Sequence, residues 1–260
     1  MVRQEVKRYD FLQIMLDTMD DGSEDGDTTE LMYCLGLSET EILANAILFF
    51  FTGYETTAST LSHCAYMLAL NPECQNRLAE EVFAALDDPP SGPTRSDVQK
   101  ASLDYDTVKK LPYLNAVINE TLRMYSPASR TDRIAKENYV LGKTGIVVPK
   151  GVLVQFPIHT IHHDAEYFPD PQRYDPERFL PENRDKILPF TYIPFGTGPR
   201  NCIAERFALL EMKLCLAKVI HRFRFTQVPE TQVIYLTQNV TDPSYSGIQH
   251  GCDLFFFILD

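Results

Sequence analysis

The chain has 260 residues, of which 44% are hydrophobic, and carries a net charge of −12. That length can bury a substantial core, and the acidity tells against nucleic acid as a partner, because such binding needs a basic surface. Seven acids and no base lie between Asp17 and Glu30, leaving −5 elsewhere, so the acidity is largely one segment. The cysteines at 34, 64, 74, 202, 215 and 252 form no C-x-x-C pair and no even framework. They read as free thiols of a reducing compartment. The first ten residues contain no apolar run and do not read as a signal peptide.

Phe11, Ile14 and Met15 keep helical apolar spacing across Phe11–Asp17. The acidic stretch Asp20–Thr29 partly mimics a calcium loop through Asp21, Ser23, Asp25 and Gly26. Its twelfth position falls on Met32, where a bidentate glutamate is needed, so a solvated loop is expected. Ser38-Glu-Thr-Glu41 is a capping box. No proline follows until Pro72, which allows one helix of about thirty residues, about 45 Å long. The run Ile42–Gly53 contains Asn45 and is too short to span a bilayer. Its all-round apolarity suggests a helix through the middle of a domain.

Within it stands Thr52-Gly-Tyr-Glu-Thr-Thr57. Glu55 and Thr56 follow three phenylalanines, where burial is expected, and burying them without partners costs several kcal/mol, roughly. Gly53 weakens the helix by about 1 kcal/mol relative to alanine. A stretch that breaks two rules together is a candidate site. The plainer alternative is that Gly53 permits a close helix crossing and Thr56 bonds back to its own backbone.

Asn71-Pro72 stops one helix and starts the next, Glu73–Leu86. Asp87–Pro93 reads as a loop. Leu111–Arg123 is a helix with proline in its first turn, and Glu120 and Arg123 share a face at i and i+3. On an exposed surface such a pair contributes only about a few tenths of a kcal/mol. Ile134–Ile158 holds short apolar runs punctuated by glycines and reads as strands of a small sheet. His159, His162 and His163 form H-x-x-H-H, which lacks a carboxylate base and any zinc signature, so turn histidines are expected. Tyr174-Asp-Pro-Glu-Arg-Phe179 follows, and 183–194 reads as an irregular meander.

Phe195-Gly-Thr-Gly-Pro-Arg-Asn-Cys-Ile-Ala204 is a glycine-turned loop before a long helical pattern, Ala204–Arg222. Cys202 at its end faces unpaired backbone N–H groups and the positive end of a helix dipole, a setting suited to a thiolate. It suits a nucleophile or a one-thiolate metal ligand, against the plain alternative of a buried structural cysteine. From Phe223 onward the chain reads as strands, closing with the apolar run 253–260.

Phe195, Gly198, Arg200, Cys202 and Ala204 meet F-x-x-G-x-R-x-C-x-[G/A], and this loop resembles the haem-ligand loop of the cytochromes P450. Thr52–Thr57 resembles that family's oxygen-activating helix, [A/G]-G-x-[D/E]-T-[T/S], with Thr52 standing where the family has alanine or glycine. Glu120, Arg123 and Arg178 match its E-x-x-R and P-E-R-F motifs. The resemblance implies a mainly α fold with small β-sheets, the C-terminal portion of the P450 fold, with a long central helix and a cysteine haem-ligand loop. It implies non-covalent haem b, with Cys202 on the iron and Phe195, Arg133, Arg200 and Ala204 binding the cofactor. Glu55 and Thr56 become the catalytic pair, the first relaying protons and the second a hydroxyl that holds oxygen. Glu120, Arg123 and Arg178 become a buried network serving folding. Residues 126–130 fall where the family lines its substrate pocket.

The motifs run in family order through 1–260, yet represent the catalytic half of such a protein. The resemblance implies that the N-terminal helices, most of the lid, the W-x-x-x-R helix and the membrane anchor have no counterpart here. The implied activity is a haem-thiolate monooxygenase that inserts one oxygen atom from O2 into a lipophilic substrate. Electrons would come from an NADPH-dependent reductase docking beside the cysteine loop, near Arg222, Arg224, Lys109 and Lys110. The implied location is the cytoplasmic face of the endoplasmic reticulum membrane, reached through the missing segment. A peroxide isomerase of the same fold and a truncated, non-catalytic fragment are the alternatives. The Glu55-Thr56 pair favours the monooxygenase over the isomerase. The local sequences are similar to the animal microsomal subfamily that oxidises drugs and steroids.

Overall fold

The computed structural model describes residues 11–17, 37–86, 103, 105–228 and 231. The helices are α1 (Phe11–Asp17), α2 (Glu39–Leu70), α3 (Pro72–Ala84), α4 (Tyr105–Lys109), α5 (Pro112–Met124), α6 (Ile158–His162) and α7 (Glu205–Ile220). Packing divides the chain into two units, Met1–Glu55 and Thr56–Asp260.

In the first unit, the Phe11 ring lies 4.2 Å from that of Phe49, and Met15 and Ile42 are buried. The expected capping box forms at the start of α2. The Ser38 N–H and hydroxyl donate to the Glu41 carboxylate at 2.9 and 2.7 Å, and the Glu41 N–H donates back at 3.3 Å. Two orphan donors of the first turn are thereby satisfied. Gly53 does not break the helix, which runs unbroken for 32 residues. Nothing lies within 4 Å of the place where a Gly53 Cβ would stand, so it permits no close crossing among the described residues.

The second unit holds the main core. Cys64, Leu68, Leu78, Val82, Leu114, Val117, Ile118, Met212 and Leu216 are buried within it. Each large apolar side chain so buried contributes about 1.5–3 kcal/mol. The N-terminus of α5 borrows its cap from α3: the Glu81 carboxylate accepts the N–H groups of Tyr113 and Leu114, both at 2.8 Å. Pro112, which has no N–H to satisfy, occupies the first turn. Gln75 fastens the segment after α7, accepting from the Phe225 N–H at 2.7 Å and donating to the Phe225 carbonyl at 2.9 Å.

The expected small sheet is instead two separate ladders. β1 (Thr131–Ile134) pairs antiparallel with β4 (Leu153–Phe156), and β2 (Tyr139–Val140) pairs with β3 (Val147–Val148). Gly145 and Gly151, at φ 75° and 87°, take the left-handed turns between them. α4 was not anticipated: it is only five residues long and its periodicity is correspondingly faint. Of the three histidines, His159 and His162 lie on α6 and His163 in the turn that ends it. The meander opens with a 3-10 turn, Pro181–Lys186. After α7, Phe223 makes an isolated bridge and 224–228 is irregular. The acidic stretch, the loop at 87–93 and the closing strand 253–260 lie outside the described residues.

Candidate functional site

Cys202 is exposed and sits two residues before Ala204, the N-cap of α7. Its N–H donates to the Phe195 carbonyl at 2.8 Å, closing the loop between them. Gly196 and Gly198 hold φ values of 73° and 78°, which a side chain would strain. A Cβ on Gly196 would meet its nearest atom at an ordinary 3.8 Å, so the backbone angle and not crowding demands glycine there. Phe195 is half-buried and packs on the core, which anchors the loop's near end. The loop is therefore fixed through its backbone while the thiol stays accessible.

Arg133 on β1 reaches this loop. Its Nη2 donates to the Arg200 carbonyl at 3.5 Å, and its Nη1 donates to the Asp132 carbonyl at 2.7 Å. Arg200 lies in the 3-10 turn Gly198–Arg200. Both guanidiniums are exposed, and among the described residues neither makes an ion pair. Ile134, Ile203 and Phe207, which neighbour these residues in sequence, expose 67%, 85% and 69% of their surface. Two uncompensated cations, a thiol and large apolar side chains make a donor set suited to a flat apolar group carrying carboxylates.

The expected network forms, with Glu120 and Arg123 fully buried and Arg178 half-buried. Arg123 grips Glu120 with two bonds, Nε to Oε2 at 2.7 Å and Nη2 to Oε1 at 2.8 Å, and both side chains are fully buried. Arg178 Nε stands 3.6 Å from Glu120 Oε1, an ion pair beyond hydrogen-bond reach. The Asp175 N–H adds a bond to Glu120 at 2.9 Å. Burial pushes the Glu120 carboxyl up from its ordinary value, and the bonds and charge of Arg123 oppose that. Asp170, at φ 51°, turns the chain so that its carbonyl accepts from Arg178 and that of Pro171 accepts from Arg123.

His162, which the sequence offers only as a turn histidine, completes this region together with Tyr192 and Asn119, which carry no motif. His162 is buried, and its Nε2 accepts the Ile193 N–H at 2.9 Å. Tyr192 stacks on His162 at 5.3 Å, and its hydroxyl lies 3.0 Å from both oxygens of Asn119.

Glu55 and Thr56 occupy consecutive positions on α2 and are exposed, against the expectation of burial. The helix buries Thr57, Thr60 and Cys64 through Ala69 instead. The reason is register and packing: the second half of α2 meets the core cluster, while among described residues 43–56 nothing is buried. Thr52 donates its hydroxyl to its own helix, at the Leu48 carbonyl, 2.7 Å. No helix among the described residues is long and apolar enough to cross a membrane.

Residues 1–244 match the family described as cytochrome P450. The chain is 43% identical over 226 residues to cytochrome P450 3A2 of Rattus norvegicus, covering 87% of this chain and 41% of that protein. It is 42% identical over 226 residues to cytochrome P450 3A7 of Homo sapiens, with the same shares. Cytochrome P450 3A9 of Rattus norvegicus matches at 40% over 233 residues, 90% of this chain and 42% of that protein. The chain thus spans about two fifths of the length of these relatives. Its helical architecture, two small antiparallel ladders and buried glutamate–arginine pair agree with that match, and the chain belongs to the cytochrome P450 family, of the animal 3A-like kind.

Proposed function

We propose that this chain supplies the catalytic half of a haem-thiolate monooxygenase acting on a lipophilic organic substrate. The observation that carries the reading is Cys202: an exposed thiol on a backbone-pinned loop, beside two guanidiniums that make no ion pair among the described residues. Haem b, when bound, supplies the iron at which oxygen is activated. The residues present fit it. Cys202 would supply its thiolate ligand, Arg133 and Arg200 would hold its carboxylates by charge-assisted bonds, and Phe195 and Ala204 would shape the loop that receives it. Glu55 takes protons from solvent and Thr56 passes them inward through its hydroxyl. The exposure of Glu55 supports that first step, since a proton relay must begin in water.

The electrons come from an NADPH-dependent reductase, and the protein works at the cytoplasmic face of the endoplasmic reticulum membrane. Both assignments rest on membership of the family and on the likeness of the local motifs to the animal microsomal subfamily. The segment 1–260 then acts as part of one catalytic domain. The test is coupling in the haem-loaded protein supplied with reductase. Product should require the reductase, and Thr56→Ala should keep haem while diverting NADPH consumption to peroxide. Product without reductase would favour the peroxide isomerase. Unchanged product per NADPH in Thr56→Ala would remove Thr56 from the relay.

A further inference from the structure

Hydrogen bonds lead from the buried network to the backbone of the thiol loop, and one histidine is their middle link. His162 is fully buried. Its Nε2 accepts the Ile193 N–H at 2.9 Å, so the ring proton resides on Nδ1, 3.2 Å from the Arg123 carbonyl. Arg123 answers by donating Nη1 to the His162 carbonyl at 2.8 Å. The two residues are thus joined twice, side chain to backbone in both directions. Beyond Ile193 the bonds continue without a gap. The Ile193 carbonyl accepts the Gly196 N–H at 3.0 Å, and the Phe195 carbonyl accepts the Cys202 N–H at 2.8 Å. Both ring nitrogens of His162 are spent on backbone groups from two other segments, 39 and 31 residues away in sequence. A histidine that only filled space would not need that double commitment, which fixes the tautomer, the ring plane and the height of Ile193 together.

We infer that His162 is the positioning residue that sets the register of the thiol loop, transmitting the fixed geometry of Arg123 to Cys202 through the Ile193 N–H. It deepens the proposed function and rests on Cys202 being the iron ligand. His162 itself touches neither the cofactor nor the reacting atoms.

The test separates the two bonds of the ring. His162→Gln can place an acceptor where Nε2 was; His162→Asn reaches only as far as Nδ1. Two readouts are taken on the haem-loaded protein: the Soret band of the reduced, carbon-monoxide-bound form, and hydrogen exchange at the Ile193 amide. In His162→Asn, exchange at Ile193 should quicken roughly tenfold or more, as loss of one buried hydrogen bond implies, and the red-shifted thiolate band should give way to an unshifted one. His162→Gln should restore protection and band together. If His162→Asn does not fold, His162→Gln alone decides, because protection and band must rise or fall as one. A variant with the Ile193 amide unprotected and the thiolate band intact, or protected and the band lost, overturns the inference. A wild-type protein without the thiolate band would instead contradict the assignment of Cys202, while amide exchange would still report whether His162 holds Ile193.

Discussion

The network around Arg123 and the loop at Cys202 are built on opposite rules. In the network the charged groups are withdrawn from water and bonded: Glu120 and Arg123 are fully buried, and Arg123 donates to one carboxylate and to two backbone carbonyls within 2.8 Å. At the loop only the backbone is tied down, while the thiol of Cys202 and the guanidiniums of Arg133 and Arg200 face outward. The same division appears along α2, where Cys64 through Ala69 are buried but Phe50, Phe51 and Tyr54 expose 70%, 64% and 70% of their surface. The difference teaches that rigidity and reactivity are held by separate residues. The scaffold is stabilised by committed polar groups, and the chemistry is left to groups whose side chains remain available to a ligand.

The sharpest way to break the division is to remove a member of the network. Arg123→Ala strands the buried Glu120 carboxylate and the backbone carbonyls of His162 and Pro171. The expected loss is about 3–5 kcal/mol, enough to unfold a marginal domain. Urea denaturation followed by circular dichroism measures it, and a loss below about 1 kcal/mol would place the pair in the class of surface ion pairs.

Acid attacks the same region more gradually. Burial, with smaller opposing help from the bond to Arg123, holds His162 down to about 3, and His163 is held down to about 4, again chiefly by burial. Both folded values lie below the unfolded one, so the unfolded chain takes up protons first. The stability these neutral imidazoles carry is whole above about pH 6.5 and drains away as pH falls through the window toward 4 and 3. Denaturation midpoints measured between neutrality and acid should decline, and less steeply in His162→Gln. A flat profile would mean that these rings are reached by solvent.

A smaller effect is expected at the loop. Gly198→Ala forces a side chain onto a φ of 78°, at a cost of about 1–2 kcal/mol. Thermal unfolding should show it, and haem retention should weaken with it. A neutral substitution would show that the loop relaxes to another angle.

How much of this could be read from the residues depends on how far each contact reaches along the chain. The capping box at Ser38 and Glu41 was legible because its partners are three residues apart. The stop at Asn71-Pro72 was legible for the same reason: proline's ring acts on its neighbours. Glu120 and Arg123 were visible as a spacing, but spacing alone gives a weak surface pair, and only the family resemblance implied burial. His162 was read as a turn residue because its significance rests on Arg123 and Ile193, far away in sequence. Glu55 and Thr56 were expected inside because phenylalanines precede them; apolar composition records what a helix can bury, not which part of it meets a partner.

The proposed presentation of Cys202 to a metal is tested most directly by the reduced, carbon-monoxide-bound spectrum of the haem-loaded protein with Cys202 intact and with Cys202→Ala. The strongly red-shifted Soret band of a thiolate ligand is expected in the first and is expected to be lost in the second, with the buried network and the fold unchanged. Persistence of that band in Cys202→Ala would contradict it.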